Sequence, residues 1–202
     1  MDFRQVNRWL LTAAFFISSL GTNAQTDSLH SRSKWLPDHA KLQFAGGIGF
    51  FSAGAGYTTK KDKLHGDLYY GYTPKSIGGL HIHTLTAKAT WFPLKDFNHK
   101  NFQVRPFTTG LLVNYTFGKQ YFGFTPENYP FDYYNFPTSL HIGAFIGGQV
   151  NKNISRRRGV KRIGLYYELG TYDVELFSYV RNPKALSITD ILNLGIGVVT
   201  AF

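Results

Sequence analysis

The sequence predicts an all-β fold: an antiparallel transmembrane β-barrel of eight strands. Three observations carry that expectation. From Lys41 onward apolar residues alternate with small or polar ones, the two-residue period of a half-buried strand. The second face of each strand is too small and glycine-rich for a solvent surface, and it suits the crowded interior of a narrow barrel. The first 24 residues read as an export signal, and no later run of 18 apolar residues would make a membrane helix.

Composition agrees. The 202 residues sustain one domain, with 18 Phe, 13 Tyr, 3 Trp and 21 Gly. Charged residues are only 17%, against about 25% in an ordinary soluble domain. Mean hydropathy is nevertheless −0.20, as expected when apolar and polar residues alternate. The absence of cysteine excludes a disulfide scaffold, a thiolate metal site and a thiol nucleophile. With 43% hydrophobic residues the chain can bury a core, which argues against disorder.

Along the chain, Arg4 and Arg8 precede the apolar stretch WLLTAAFFISSL, and Thr22-Asn23-Ala24 offers small residues for cleavage between Ala24 and Gln25. Its removal leaves 20 basic and 11 acidic side chains. Residues 25–40 form a polar periplasmic lead-in, and residues 41–202 form the barrel. Strands are expected at 63–73, 80–92, 102–117, 138–150, 161–180 and 188–202. Residues 41–59 are twice the length of a membrane strand. An even strand count makes them two strands with a turn near 49–52; one long glycine-bent strand is the alternative. The connections at 60–63, 74–79, 93–101, 151–160 and 181–187 are short and polar, whereas 118–137 is long. If the last strand ends in the periplasm, parity puts that long loop outside the cell, as expected of such barrels.

The alternating strands, the leader and the terminal Leu194-x-Ile196-x-Val198-x-Thr200-x-Phe202 resemble small bacterial outer-membrane β-barrels. The segments FAGGIGFFSAGAGY (44–57), YGYTPKSIGGLHIHTLTAKATWFP (70–93) and YYELGTYD (166–173) are similar to barrels of Bacteroidota without an assigned activity. The resemblance implies the outer membrane of a Gram-negative bacterium, with lipids and lipopolysaccharide as surroundings. It also implies that the barrel assembly machinery reads the C-terminal Phe. It assigns no protein partner.

Four constellations are candidates for chemistry. Asp67, Lys88, Arg105 and Glu168 fall on the inward face and would compensate one another's charge as a lumen network. Ser139, His141 and Glu168 share that face, a residue set suited to acyl transfer and similar to that of outer-membrane lipid A deacylases, although the order Ser-x-His is reversed. His81 and His83 share one strand face and could give two metal ligands, with no third evident. The loop 118–137 carries eight aromatics, of which Tyr121, Phe124, Tyr129, Tyr133 and Tyr134 are candidates for ligand binding; packing over the barrel mouth is the alternative. The basic run Arg156-Arg157-Arg158, Lys161, Arg162 would signal nucleic acid in a soluble protein. Parity instead places it in a periplasmic turn, beside lipid head groups or simply solvated, and no nucleic-acid partner is expected. No nucleotide, zinc-protease or nucleophile-elbow motif is present, and no cofactor is expected.

An eight-stranded lumen is normally filled by side chains. The first expectation is therefore a non-enzymatic structural or interaction barrel. A lipid A-modifying acyl hydrolase and a narrow pore for small solutes are the alternatives.

Overall fold

A computed structural model describes residues 35–59, 61–122, 137–157 and 159–202, with the side chains of 155–157 excepted. The order is β1 (His39–Ala45), β2 (Phe51–Thr58), β3 (Leu64–Thr73), helical turn α1 (Lys75–Gly78), β4 (Ile82–Trp91), β5 (Phe97–His99) and β6 (Phe102–Phe117). Then follow β7 (Leu140–Arg157), β8 (Val160–Tyr172), helix α2 (Asp173–Arg181), a 3-10 turn (Ile188–Ile191) and β9 (Asn193–Ala201).

Eight of these strands close an antiparallel barrel. Each pairs with the next along the chain, β4 pairs with β6, and β1 returns to β9 with His39 opposite Ala201 and Ala45 opposite Gly195. Residues 41–59 are thus two strands, as an even count requires, and Phe202 N donates to Asp38 O at 3.0 Å where the ends meet. We call the end bearing Asp38 and Phe202 the proximal rim and the opposite end the distal rim.

Inside and outside are inverted relative to a soluble protein. Among the described residues, seventeen buried side chains are polar or charged and eight are hydrophobic. The outward face carries Leu42, Leu68, Leu85, Leu111, Ile142, Ile146, Leu165, Leu194 and Ile196, all exposed. These faces follow the alternation of apolar with small or polar residues along the strands. It works because successive side chains of a strand point to opposite faces.

Several boundaries differ from expectation, each for a local reason. The first turn lies at 46–50 rather than 49–52. Ala45, Gly46, Gly47 and Gly49 have positive φ, and the turn folds back into the barrel. β8 stops at Tyr172 instead of continuing to residue 180. Val174, Phe177 and Val180 recur every three residues, and the Glu175 carboxylate accepts Tyr172 N at 3.0 Å, so a capped helix forms. β7 runs to Arg157, through residues expected to turn. Asn151 continues the inward phase, donating to Gln103 and accepting from Gln149. β5 is a short arm paired with the start of β6 inside the expected turn 93–101. Residues 188–191 are 3-10, and strand structure starts at His39 rather than Lys41. β6 gains one residue against β7 between Arg105 and Thr108, a bulge at Pro106 and Phe107 that spares the ladder a missing proline N–H.

The interior is narrow enough that glycine is required. A Cβ on Gly54 would lie 2.6 Å from Tyr69 Cδ1 and 2.7 Å from its Cγ. Gly54→Val is expected to cost about 1–3 kcal/mol by overpacking, whereas Ala53→Val on the outward face changes little. Urea unfolding of both variants in detergent micelles checks this.

Candidate functional site

The lumen is the site that the strands build most deliberately. At the proximal rim Arg105 is buried with its guanidinium 4.2 Å from the centre of the Phe92 ring. It pairs with Asp62 of the turn after β2 and, at 3.4 Å, with Asp96. Arg162 donates to Asp62 at 3.2 Å and to Gln103 at 2.8 Å. His65 Nε2 lies 2.8 Å from Asp62. Burial alone would raise the Asp62 carboxyl; the hydrogen bond from His65 and the Arg105 and Arg162 charges outweigh it and hold the group well below the usual carboxylate range.

One layer deeper, the His39 ring lies 4.7 Å from that of His65. His39 and Lys41 share the Asp67 carboxylate, at 2.5 and 2.7 Å. At mid-barrel Lys88 donates to Glu168 at 2.6 Å and to Gln43 at 3.1 Å. The Lys88 ammonium also sits over the Tyr69 and Phe145 rings, at 4.8 and 4.9 Å. Tyr166 donates to Gln43 at 3.2 Å, and the Tyr69 and Tyr166 hydroxyls are 3.3 Å apart.

The distal half changes character. Ile48, at the tip of the inturned 46–50 turn, is fully buried against Tyr69, Leu112 and Phe145, with Tyr172 packed beside them. Its carbonyl accepts from Thr84 at 2.5 Å and from Ser52 at 3.3 Å, and Asn114 donates to Gly47 O at 3.2 Å. The Gly47 and Ile48 carbonyls that the turn brings in are thereby met by inward side chains. The lumen is charged below and stoppered by an apolar plug above.

Of the four expected network residues, all are buried, but only Lys88 and Glu168 pair with each other. Asp67 is taken by His39 and Lys41, and Arg105 by Asp62 and Asp96. His39, Lys41, Gln43, Asp62, Tyr69, Asp96, Tyr166 and Arg162 belong to the network beyond the four expected residues. Lys41 and Gln43 carried a usable signal, since they alternate with Ala40, Leu42 and Phe44. Arg162, expected with the basic run beside lipid head groups or solvent, instead joins the lumen network.

The structure does not bring Ser139, His141 and Glu168 together. Glu168 stands opposite Gly147, six residues along β7 from His141 and so roughly 20 Å away at strand spacing. Val150 pairs with Leu165, and this register sets Glu168 that far from His141. His141 Nδ1 faces Asp173 at 3.2 Å. The Ser139 hydroxyl is buried and has no hydrogen-bond partner among the described residues. His81 and His83 bond the Tyr72 and Tyr70 hydroxyls, at 2.7 and 2.6 Å, on the outward face near the distal rim. The described residues hold no cluster of three metal-ligating side chains. Tyr121 is half-buried at the start of the long loop; Phe124, Tyr129, Tyr133 and Tyr134 lie outside the described residues, as do the side chains of Arg156, Arg157 and Arg158.

No protein family, curated protein or solved structure matches the chain.

Removing one partner of a buried pair strands the other's charge, so Lys88→Met is expected to cost about 3–5 kcal/mol, and adding Glu168→Met to it restores most of the loss. A double-mutant cycle by urea unfolding in detergent measures both. A second expectation concerns acid. The folded Asp62 is depressed below its unfolded value of 3.8, so its stabilisation is complete above about pH 5 and fades as pH falls toward the folded value. Asp62→Asn should therefore flatten the acid limb of the stability-against-pH curve, read from unfolding midpoints between pH 6 and pH 3.

Proposed function

We propose that the chain is an exported integral outer-membrane β-barrel of a Gram-negative bacterium with a non-enzymatic structural or interaction role. The observation that carries this reading is the outer surface. Leu, Ile, Val and Ala form a continuous belt around the barrel. Near the distal rim it is flanked by Phe44, Phe51, Tyr70, Tyr115 and Phe117, and near the proximal rim by Tyr57, Trp91, Phe102 and Phe107, all exposed. On β6 the two girdles are ten residues apart, roughly 25 Å along a tilted strand, the height of the apolar band of an outer-membrane barrel. Water would penalise such a surface, whereas lipid matches it.

In this reading the proximal rim faces the periplasm and the distal rim the cell exterior, with residues 118–137 as the external loop. Outer-membrane lipids and lipopolysaccharide surround the belt, and the assembly machinery reads the strand ending at Phe202. The apolar plug at Ile48 argues against a pore. The buried, unbonded Ser139 hydroxyl argues against acyl transfer, which needs a base on the nucleophile.

Four measurements test the proposal. The full chain should fractionate with the outer membrane and migrate in heat-modifiable form; purified, it should give no conductance steps in planar bilayers. Leu165→Arg, at mid-belt, should cost about 2–4 kcal/mol in lipid vesicles. A folded chain that stays soluble without detergent overturns the reading.

A further inference from the structure

At the distal end of the β3–β4 hairpin, tyrosines and histidines interleave on the outward face. Tyr72 stands opposite His83, and Tyr70 opposite Leu85. The Tyr72 hydroxyl meets His81 Nδ1 at 2.7 Å, and the Tyr70 hydroxyl meets His83 Nδ1 at 2.6 Å. The Tyr72 ring also stacks on His81, with 14° between the planes, and its centre lies 5.2 Å from that of His83. Each phenol thus holds one imidazole by its Nδ1. His81 is exposed and His83 half-buried, and neither Nε2 has a partner among the described residues.

We propose that the Nε2–H groups of His81 and His83 together bind a phosphate of lipopolysaccharide in the outer leaflet. The inference rests on the membrane reading above and names the component of its surroundings that the barrel recognises. Protonation points to an anion. A phenol has a single proton to donate, and giving it to Nδ1 fixes the neutral imidazole as the tautomer with a donor at Nε2. A protonated ring also donates from Nε2, so both forms serve an acceptor. Spacing points to a group larger than one ion. Tyrosines two residues apart hold histidines two residues apart, so the rings keep the two-residue repeat of a strand, roughly 7 Å. One metal ion would need both nitrogens about 2.0–2.1 Å from it, closer together than the repeat permits while the tyrosine bonds hold. A phosphate offers several oxygens around one centre and reaches two such donors. Charge agrees. No carboxylate occurs from residue 68 to 95 or from 102 to 122, and the exposed Lys75 and Lys119 stand in the loops that follow β3 and β6 at this rim. Asp173, Glu175 and Asp190 lie across the barrel, beside β8 and β9. Height selects the source of the phosphate. His83 pairs with Phe117 of the distal girdle, so the imidazoles stand at the edge of the apolar band, where the head groups of the outer leaflet begin.

The test places the full chain in phosphatidylethanolamine nanodiscs doped with equal amounts of bis-phosphorylated lipid A, dephosphorylated lipid A and phosphatidylglycerol. A chelating buffer keeps divalent ions from bridging phosphates. Release into mild detergent and native mass spectrometry then show what stays bound. The wild type should retain bis-phosphorylated lipid A in preference to both other lipids. His81→Phe and His83→Phe keep a ring in the aromatic girdle, and each should lower that retention roughly tenfold, the effect of losing a hydrogen bond to a charged group. Heat-modifiable migration establishes that each variant has folded. In nitrogen-15 spectra of histidine-labelled barrel, bis-phosphorylated lipid A should shift both Nε2 signals relative to the dephosphorylated form. The proposal is overturned if an inserted barrel retains no lipid A, retains the dephosphorylated form equally, or keeps its preference when both histidines are replaced. Equal retention of phosphatidylglycerol overturns the assignment to lipopolysaccharide. A chain that never enters the nanodisc overturns the membrane reading itself, a distinguishable result.

Discussion

The return of β1 to β9 sets the conditions for the rest of the molecule. Pairing His39–Ala45 with the last strand removes both free edges of the sheet, so the ladder runs around the barrel without an open side. Closure at eight strands also fixes a narrow interior in which half of all strand residues must fit. Glycine and threonine answer the volume problem at Gly54, Thr84, Thr86 and Thr90. The inward Lys41, Asp67, Lys88, Arg105 and Glu168 create a second problem, because a charge taken out of water must find its counter-charge within the same closed space.

The lumen meets that demand in pairs. Lys41, Lys88, Arg105 and Arg162 face Asp62, Asp67, Asp96 and Glu168. Four cations balance four carboxylates, so the net positive charge of the chain resides outside this network. The pairs connect strands distant in sequence: Lys88–Glu168 links β4 to β8, and Lys41–Asp67 links β1 to β3. Such pairs contribute little net stability over apolar packing, but a shifted register would leave each charge unpaired, which makes them a penalty against misclosure. Above them the Ile48 plug does what ions cannot do cheaply, filling the distal lumen with apolar contacts that require no partner.

The class of fold and the facing of side chains were legible because they depend only on neighbours two residues apart. Leu85, Ala87 and Trp91 outward and Thr84, Lys88 and Thr90 inward follow from the pleat alone. What stayed hidden depends on long-range register or on competition between local structures. Glu168 lies opposite Gly147 because β7 extends past Asn151, and no local pattern near Glu168 records that extension. The apolar residues after Tyr172 suit either a strand or a helix, and the Glu175 cap with the three-residue spacing decides for the helix. The inward tuck of Ile48 needed the glycines at 46, 47 and 49 to be read as positive-φ positions rather than as small lumen residues.

Since closure and charge pairing occupy the lumen, specific recognition has to come from surfaces that those tasks leave open. The proximal rim is tied up in the Asp62 network. The belt presents aliphatic side chains with little to distinguish one position from the next. The distal rim differs from both. There His81 and His83 are paired with tyrosines, His141 faces Asp173, and the chain departs from β structure at α1, at α2 and at the 3-10 turn. Breaks in a ladder cost backbone pairing, and the helix at Asp173 costs three strand residues of β7 their neighbour. A barrel whose only task was to close would have continued β8 instead. The gap in the ladder beside α2 is the physical result of that interruption, and the distal rim is where variation in sequence changes what the barrel meets without disturbing what holds it shut.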